Sequence, residues 1–279
     1  MNLDQDPVRT AYRPWRGLLL PWAHGVLIWR LARRDIETRY RGSFLGFGWA
    51  AVVPLARLAI FSLIFGGIFA TKWPGQHTES TAVTTLYIFS GMILFDFFSD
   101  QVARAPKLLL NNVAYIKKVV FPLEILPWVS LIGALHTFIT SFVIFLVAYA
   151  FIIGLPPWTI VTLPVLLVPV AAIALGASWI LASLGIFLRD LDQLVALVTT
   201  ILMFLAPIFF PRTAVPQSYQ WLLAINPLTL PIELSKDILF QGTVTRVAEF
   251  TAYLAAAVAF ALLGFFFFMR SRRAFADVV

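Results

Sequence analysis

The chain has 279 residues, 60% of them hydrophobic and 13% charged, with a mean hydropathy of +0.87. A soluble domain of this size has too little polar surface to face water at that composition, so its natural solvent is a bilayer, and the expected fold is an all-α polytopic membrane protein. A net charge of +7 and a pI near 10.0 would point to nucleic acid in a soluble protein, but in a membrane chain they encode topology. The absence of cysteine excludes disulfides, thiolate nucleophiles and cysteine-held metals.

Residues 1–17 are polar and read as a cytoplasmic tail without a signal-peptide pattern. Residues 18–41 set Leu18, Leu19, Leu20, Trp22, Val26, Leu27, Ile28, Trp29 and Leu31 against Arg30, Arg33, Arg34, Asp35, Glu37 and Arg39. That stretch is too charged to span and suits an amphipathic helix lying in the membrane interface. Windows near spanning length, roughly 20 apolar residues, follow at 46–70, 83–103, 125–153, 159–187, 193–210 and 248–269. Residues 71–82 form a short outer loop, and 154–158 and 188–192 are tight turns.

The longest inner connection, 104–124, mixes Leu108, Leu109, Val113 and Ile116 with Lys107, Lys117 and Lys118 between Pro106 and Pro122. This predicts a short amphipathic helix over 106–118. In the outer segment 211–247, apolar bursts are cut by Pro211, Pro216, Pro227 and Pro231. Two short helices dipping into the outer leaflet are expected there. No internal repeat or separate soluble domain interrupts residues 1–279.

Six spans put both termini on one side. With cytoplasmic termini, sixteen basic residues fall inside, Lys72, Arg212, Lys236 and Arg246 fall outside, and Arg57 lies in the first span, which together make the 21 of the chain. The positive-inside rule then orients the protein. Charges within the membrane call for an explanation. Arg57 lies about 18 Å from the inner end of its helix and Asp96 about 12 Å from the inner end of the next, at the helical rise. Asp100 lies one turn further in. Either Arg57 pairs with Asp96, or it lines a polar pathway and meets an anionic substrate; both readings stay open.

No G-x-x-x-x-G-K-[ST] phosphate loop is present, so ATP is not bound through that motif. His24, His77 and His136 are too scattered for a metal cluster. Asp190 and Asp192, in a tight turn beside Arg189, suit an ion pair or helix cap better than a metal-binding D-x-D. A membrane-embedded glycosyl- or acyltransferase would group acids or histidines at one face, and nothing beyond that pair does so. The 26 Phe and 9 Trp are mostly lipid-facing or interfacial, although aromatic faces also stack on sugar rings.

Three segments carry a family resemblance: RRDIETRYRGSFLGFGWAAVVPL (33–55), NNVAYIKKVVFPLEILP (111–127) and INPLTLPIELSKDILFQG (225–242). Together they resemble the type-2 ABC export permeases of the polysaccharide and polyol-phosphate family, the first of them being most similar to O-antigen permeases, with capsule and teichoic-acid permeases close behind. The resemblance implies a homodimer in the bacterial inner membrane, each copy docked on one separate ATPase subunit that binds ATP and Mg, with an undecaprenyl-diphosphate-linked polysaccharide as cargo and no cofactor in the permease itself. It implies a coupling helix at 106–118, contacting the ATPase through Lys107, Leu108, Leu109, Asn111, Asn112, Tyr115, Ile116, Lys117 and Lys118. It also implies an outer gate with Tyr219, Trp221, Asn226, Pro227 and Glu233. Arg33, Arg34, Arg39 and Arg41 form a basic rim suited to guiding a pyrophosphate. The same residues would also serve topology or bind anionic lipid headgroups.

Overall fold

A computed structural model describes residues 24–64, 81–116 and 121–278. The expected tail, the start of the interfacial helix, His77, most of the loop at 71–82, Lys117 and Lys118 lie outside these residues. The helices are α1 (Gly25–Tyr40), α2 (Trp49–Phe61), α3 (Thr81–Arg104), α4 (Val113–Ile116), α5 (Leu126–Ile152), α6 (Leu163–Gly185), α7 (Leu191–Phe204), α8 (Gln220–Ile225), α9 (Thr229–Lys236) and α10 (Val247–Val278).

Five helical stretches are long and apolar enough to cross a membrane: Gly46–Ile64, Ala82–Lys107, Leu123–Ile152, Trp158–Gly185 and Val247–Arg272. Length, low charge and intrahelical satisfaction of the backbone make each a span. The fifth predicted window, 193–210, is different. Its helix α7 has 14 residues, about 21 Å at the helical rise and short of a hydrocarbon core of about 30 Å. The chain then breaks through turns at 205–210, so hydropathy overstates the length of this element.

The second span is the hub. In its apolar window 72% of residues are buried, against 6% in the first span, so the other helices wrap α3 while α2 lies at the rim. Phe89, Phe97, Phe138, Phe145, Trp179 and Phe268 fill the core between α3, α5, α6 and α10. The most extensive helix contact among the described residues is that of α6 with α10. There, a Cβ on Gly264 would lie 2.3 Å from the Gly176 carbonyl oxygen. Two backbones touch without side chains between them, a common way to join helices in lipid.

α1 buries Ile28 and Ala32 against Ile125 and Val129 at the start of the third span. Its remaining faces hold exposed Val26 and Trp29 and a row of arginines, as an interfacial helix requires. This end of the bundle, which also carries residues 105–116 and 188–192, is called the basic end below.

Candidate functional site

At the basic end the predicted coupling segment is three short helical turns, Ala105–Lys107, Leu110–Asn112 and Val113–Ile116, instead of one continuous amphipathic helix. Leu109 and Ile116 are buried, Leu108, Asn112 and Tyr115 are half-buried, and Lys107 and Asn111 are exposed. Asn112 donates to the Leu108 carbonyl at 2.8 Å, and the Tyr115 ring stacks on Phe121 at 4.3 Å.

The segment is fixed to the bundle on both sides. A Cβ on Gly185 would lie 2.0 Å from the Pro106 carbonyl oxygen, so the connection rests directly on the end of α6. The Lys107 ammonium donates to the Asp192 carboxylate in the first turn of α7. That hydrogen bond holds the Asp192 carboxyl below the usual carboxylate range. Asp192 is therefore an ion-pair partner, as its tight-turn setting suggests, and Asp190 precedes α7 at the N-cap position. Beyond the segment, Arg272 of α10 donates to buried Glu124 at 3.0 Å and to the Phe121 carbonyl at 3.1 Å. The sequence gives no hint of that pair, because 148 residues separate its members.

The four arginines of the predicted rim separate into different settings. Arg33 pairs with Glu37 on the exposed face of α1 at 2.8 Å, a surface pair worth little energetically. Arg34 and Arg41 are exposed and make no ion pair among the described residues. Arg39 turns inward instead. Its guanidinium donates to Asp35 at 2.8 Å and lies 3.5 Å from Asp100, which also accepts from Arg104 at 2.7 Å. The slot exists because residue 133 lacks a side chain, and a Cβ there would fall 2.2 Å from Arg39 Nη2.

Gly133→Ala is accordingly expected to eject Arg39 without preventing folding, because a flexible side chain yields more easily than a backbone. A loss of about 1–2 kcal/mol is expected, read as a lower thermal midpoint of the purified protein. Arg39→Ala in the Gly133→Ala background should then add almost nothing, since both changes remove one shared contact; fully additive losses would contradict the slot.

Within the membrane the Arg57 guanidinium donates to the Asp96 carboxylate, joining α2 to α3. Both side chains keep part of their surface exposed. Asp100 belongs to the Arg39–Arg104 cluster, so the three polar residues grouped by sequence fall into two separate contacts.

At the far end, two short helices follow the break after α7. Tyr219 and Trp221 are exposed, Pro227 is half-buried, and Asn226 is buried. The Asn226 side chain donates to the Leu202 carbonyl at 2.8 Å and accepts from the Leu228 backbone N–H at 3.0 Å. One side chain thus satisfies a carbonyl left open where α7 ends and a donor left open where α9 begins. Glu233 accepts from Arg246 at 2.7 Å and lies 3.9 Å from Arg212, and Asp237 accepts from Arg246 at 3.1 Å. Two carboxylates hold Arg246 at φ 55°, a left-handed conformation uncommon for a residue with a side chain.

Lys236 is the residue that sequence reasoning placed least well. It counts there only as a basic residue of the outer side, yet it is buried, and its ammonium donates to the Pro207 carbonyl and reaches Ile208 O at 3.5 Å. Burial pulls it down to about 7, with Glu233 opposing the shift. A lysine in a segment otherwise cut by prolines was the available signal, because such a side chain is rarely fully buried without a partner.

Among the described residues no group of three or more His, Asp or Glu side chains is placed to hold a metal. Among the described residues the arrangement consists of short helical turns and α1 at one end, a pair of short helices at the other, and long apolar helices between them.

The family model described as ABC-2 type transporter matches residues 26–240. The O-antigen export system permease protein RfbA of Myxococcus xanthus is 25% identical over 274 residues, 98% of each chain. RfbA of Klebsiella pneumoniae is 24% identical over 255 residues, 89% of this chain and 93% of its own. The polysialic acid transport protein KpsM of Escherichia coli is 24% identical over 226 residues, 79% of this chain and 84% of its own. With the match running from α1 through α9, the chain belongs to the ABC-2 type transporter family, as a multi-pass membrane permease related at low identity to polysaccharide exporters.

Proposed function

We propose that this chain is the permease subunit of an ABC exporter that carries undecaprenyl-diphosphate-linked polysaccharide, O-antigen of lipopolysaccharide, outward across the bacterial inner membrane. The observation that carries this reading is the end-to-end match with an O-antigen export permease, 98% of each chain. Both termini and the basic end face the cytoplasm, with α7 and the broken stretch after it together making a sixth crossing, in line with the positive-inside count.

ATP is hydrolysed on two copies of a separate subunit, each seated against residues 106–118 of one permease. Two permeases enclose the path. The apolar faces left open on α2 (Val52, Val53, Leu55) and α7 (Leu194, Leu197, Ile201) suit such a seam together with surrounding lipid. The glycan's diphosphate is drawn in by Arg33, Arg34 and Arg41, which remain at the surface and bind phosphate through charge-assisted forks. Arg39 serves instead to hold α1 on the bundle. The two short helices over 220–241 close the outer mouth, with Tyr219 and Trp221 offering ring faces to passing sugars.

Deleting the gene is expected to remove O-antigen from the cell surface while undecaprenyl-linked polymer accumulates inside, read by gel and mass analysis of extracted lipid-linked glycan. Unchanged surface O-antigen overturns the assignment. Similarity to a polysialic acid transport protein favours capsule as the second reading, and loss of capsule with intact O-antigen would select it.

A further inference from the structure

The coupling segment cannot hold its own shape. Its turns of three and four residues, Ala105–Lys107, Leu110–Asn112 and Val113–Ile116, are far shorter than the roughly 12 residues at which an isolated helix becomes even marginal in water. Where the segment sits is set by what it is attached to. At its entry Pro106 rests on Gly185 and Lys107 donates to Asp192. At its exit Ile116 is buried, and the Tyr115 ring stacks on Phe121 at 4.3 Å, within 8° of parallel. The end of the segment therefore follows Phe121.

Residues 121–127 are held in turn by side chains from three other helices. Gln101 of α3 donates to the Pro127 carbonyl at 3.0 Å, and Trp179 of α6 to the Glu124 carbonyl at 3.1 Å. Arg272 of α10 donates to the Glu124 carboxylate at 3.0 Å and to the Phe121 carbonyl at 3.1 Å. It thus grips the residue whose ring stacks on Tyr115. Phe268, Arg272 and Phe275 share one face of α10 at i, i+4 and i+7, and both rings are fully buried, 5.4 Å apart at their centroids. The guanidinium is carried to residues 121–124 by that packed face. Its donors form a rigid fork that can bond a carboxylate and a carbonyl together, whereas a lysine ammonium is a point charge on a flexible stem. Glu124 is 2% exposed, and a buried carboxylate stripped of its cation is costly, so the pair fixes α10 against the exit.

We propose that Arg272 is a positioning residue for the ATPase: with Glu124 it makes the last helix a post that fixes the exit of the coupling segment and presents the docking face ready-made. A segment held in its bound shape binds without paying for its ordering, whereas one cut loose must be ordered by the partner. The inference rests on the reading above that an ATPase docks on residues 106–118, but not on the identity of the cargo.

The deciding variant is Glu124→Met combined with Arg272→Met. Replacing both members of a buried ion pair by apolar side chains of similar volume is often neutral for stability, whereas removing one member is not. The fold is kept and the post is lost. Full-length permease in lipid nanodiscs is presented to the purified ATPase subunit, with binding read by biolayer interferometry and ATP hydrolysis measured at saturation. The double variant should bind about tenfold more weakly, with hydrolysis per bound complex within about twofold of the parent. A merely structural role would instead lower the thermal midpoint and the fraction of competent permease, and leave the affinity of that fraction unchanged.

Amide exchange of residues 108–116, measured on the permease alone, should quicken by about tenfold as the fixed ring beside Tyr115 is released. Arg272→Lys keeps a charge for Glu124 but not the fork, and should fall between the parent and the double variant in affinity. A double variant that binds the ATPase subunit as tightly as the parent overturns the post, however fast its amides exchange. Failure of the docking reading shows itself differently: the parent then binds no ATPase subunit, and the proposal falls with it.

Discussion

Replacing Gly264 by alanine is expected to prevent the chain from reaching its folded state. The added methyl would lie 2.3 Å from the Gly176 carbonyl oxygen and 2.8 Å from its carbonyl carbon. Those atoms are backbone within a helix and cannot rotate away, as an overpacked side chain can. Overpacking ordinarily costs about 1–3 kcal/mol. Here the two helices must separate along the largest interface described, and a loss above about 4 kcal/mol is expected, a size reserved for named structural faults. Gly176→Ala meets Phe260 and Ala261 at 2.8 to 3.0 Å, a milder clash, so its loss should be smaller. Gly25, whose Cβ would meet nothing within 4 Å, supplies the neutral control. Size-exclusion profiles and thermal midpoints in detergent rank the three. A Gly264→Ala protein that elutes as a single species with an unchanged midpoint would contradict the close crossing of α6 and α10.

The spans were readable because the bilayer makes a single demand, and long apolar runs answer it. Positions 83–103 and 125–153 fall within a few residues of the helices found, and the proline-cut stretch after residue 211 resolves into short helices as its punctuation predicts. What hydropathy does not reveal in 193–210 is the break after Phe204, because it counts Leu205, Ala206, Ile208 and Phe209 as continuing the helix and does not register that the carbonyls of Leu202, Pro207 and Ile208 are taken by side chains from residues 226 and 236. That partnership crosses more than twenty residues of chain and has no periodicity. The inward turn of Arg39 is hidden from the sequence for the same reason. Asp35 stands four residues before Arg39 and was visible as a helical partner, but the cavity that draws Arg39 inward is made by Gly133 on another helix. Charge can be counted from sequence, while its direction depends on what packs opposite.

Arg57 and Asp96 offer the largest electrostatic effect. Asp96→Asn is expected to lower stability by about 3 kcal/mol, the scale for an unpaired charge at the centre of a spanning helix. The guanidinium has no neutral form within reach, so once its partner is gone it must drag water or headgroups into the membrane. Arg57→Gln should cost less, because a lone carboxyl can take up a proton and enter hydrocarbon neutral. This asymmetry separates a salt-bridged pair from two residues that merely line a wet channel, where either change would be tolerated by folding. The exchange Arg57→Asp with Asp96→Arg restores opposite charges between α2 and α3 and should recover most of the lost midpoint. If folding recovers but surface glycan does not, Arg57 also meets the anionic cargo, and its position, not the pair alone, is required. If the exchange is no better than the worse single variant, the contact between these helices is not what holds the two charges in the membrane.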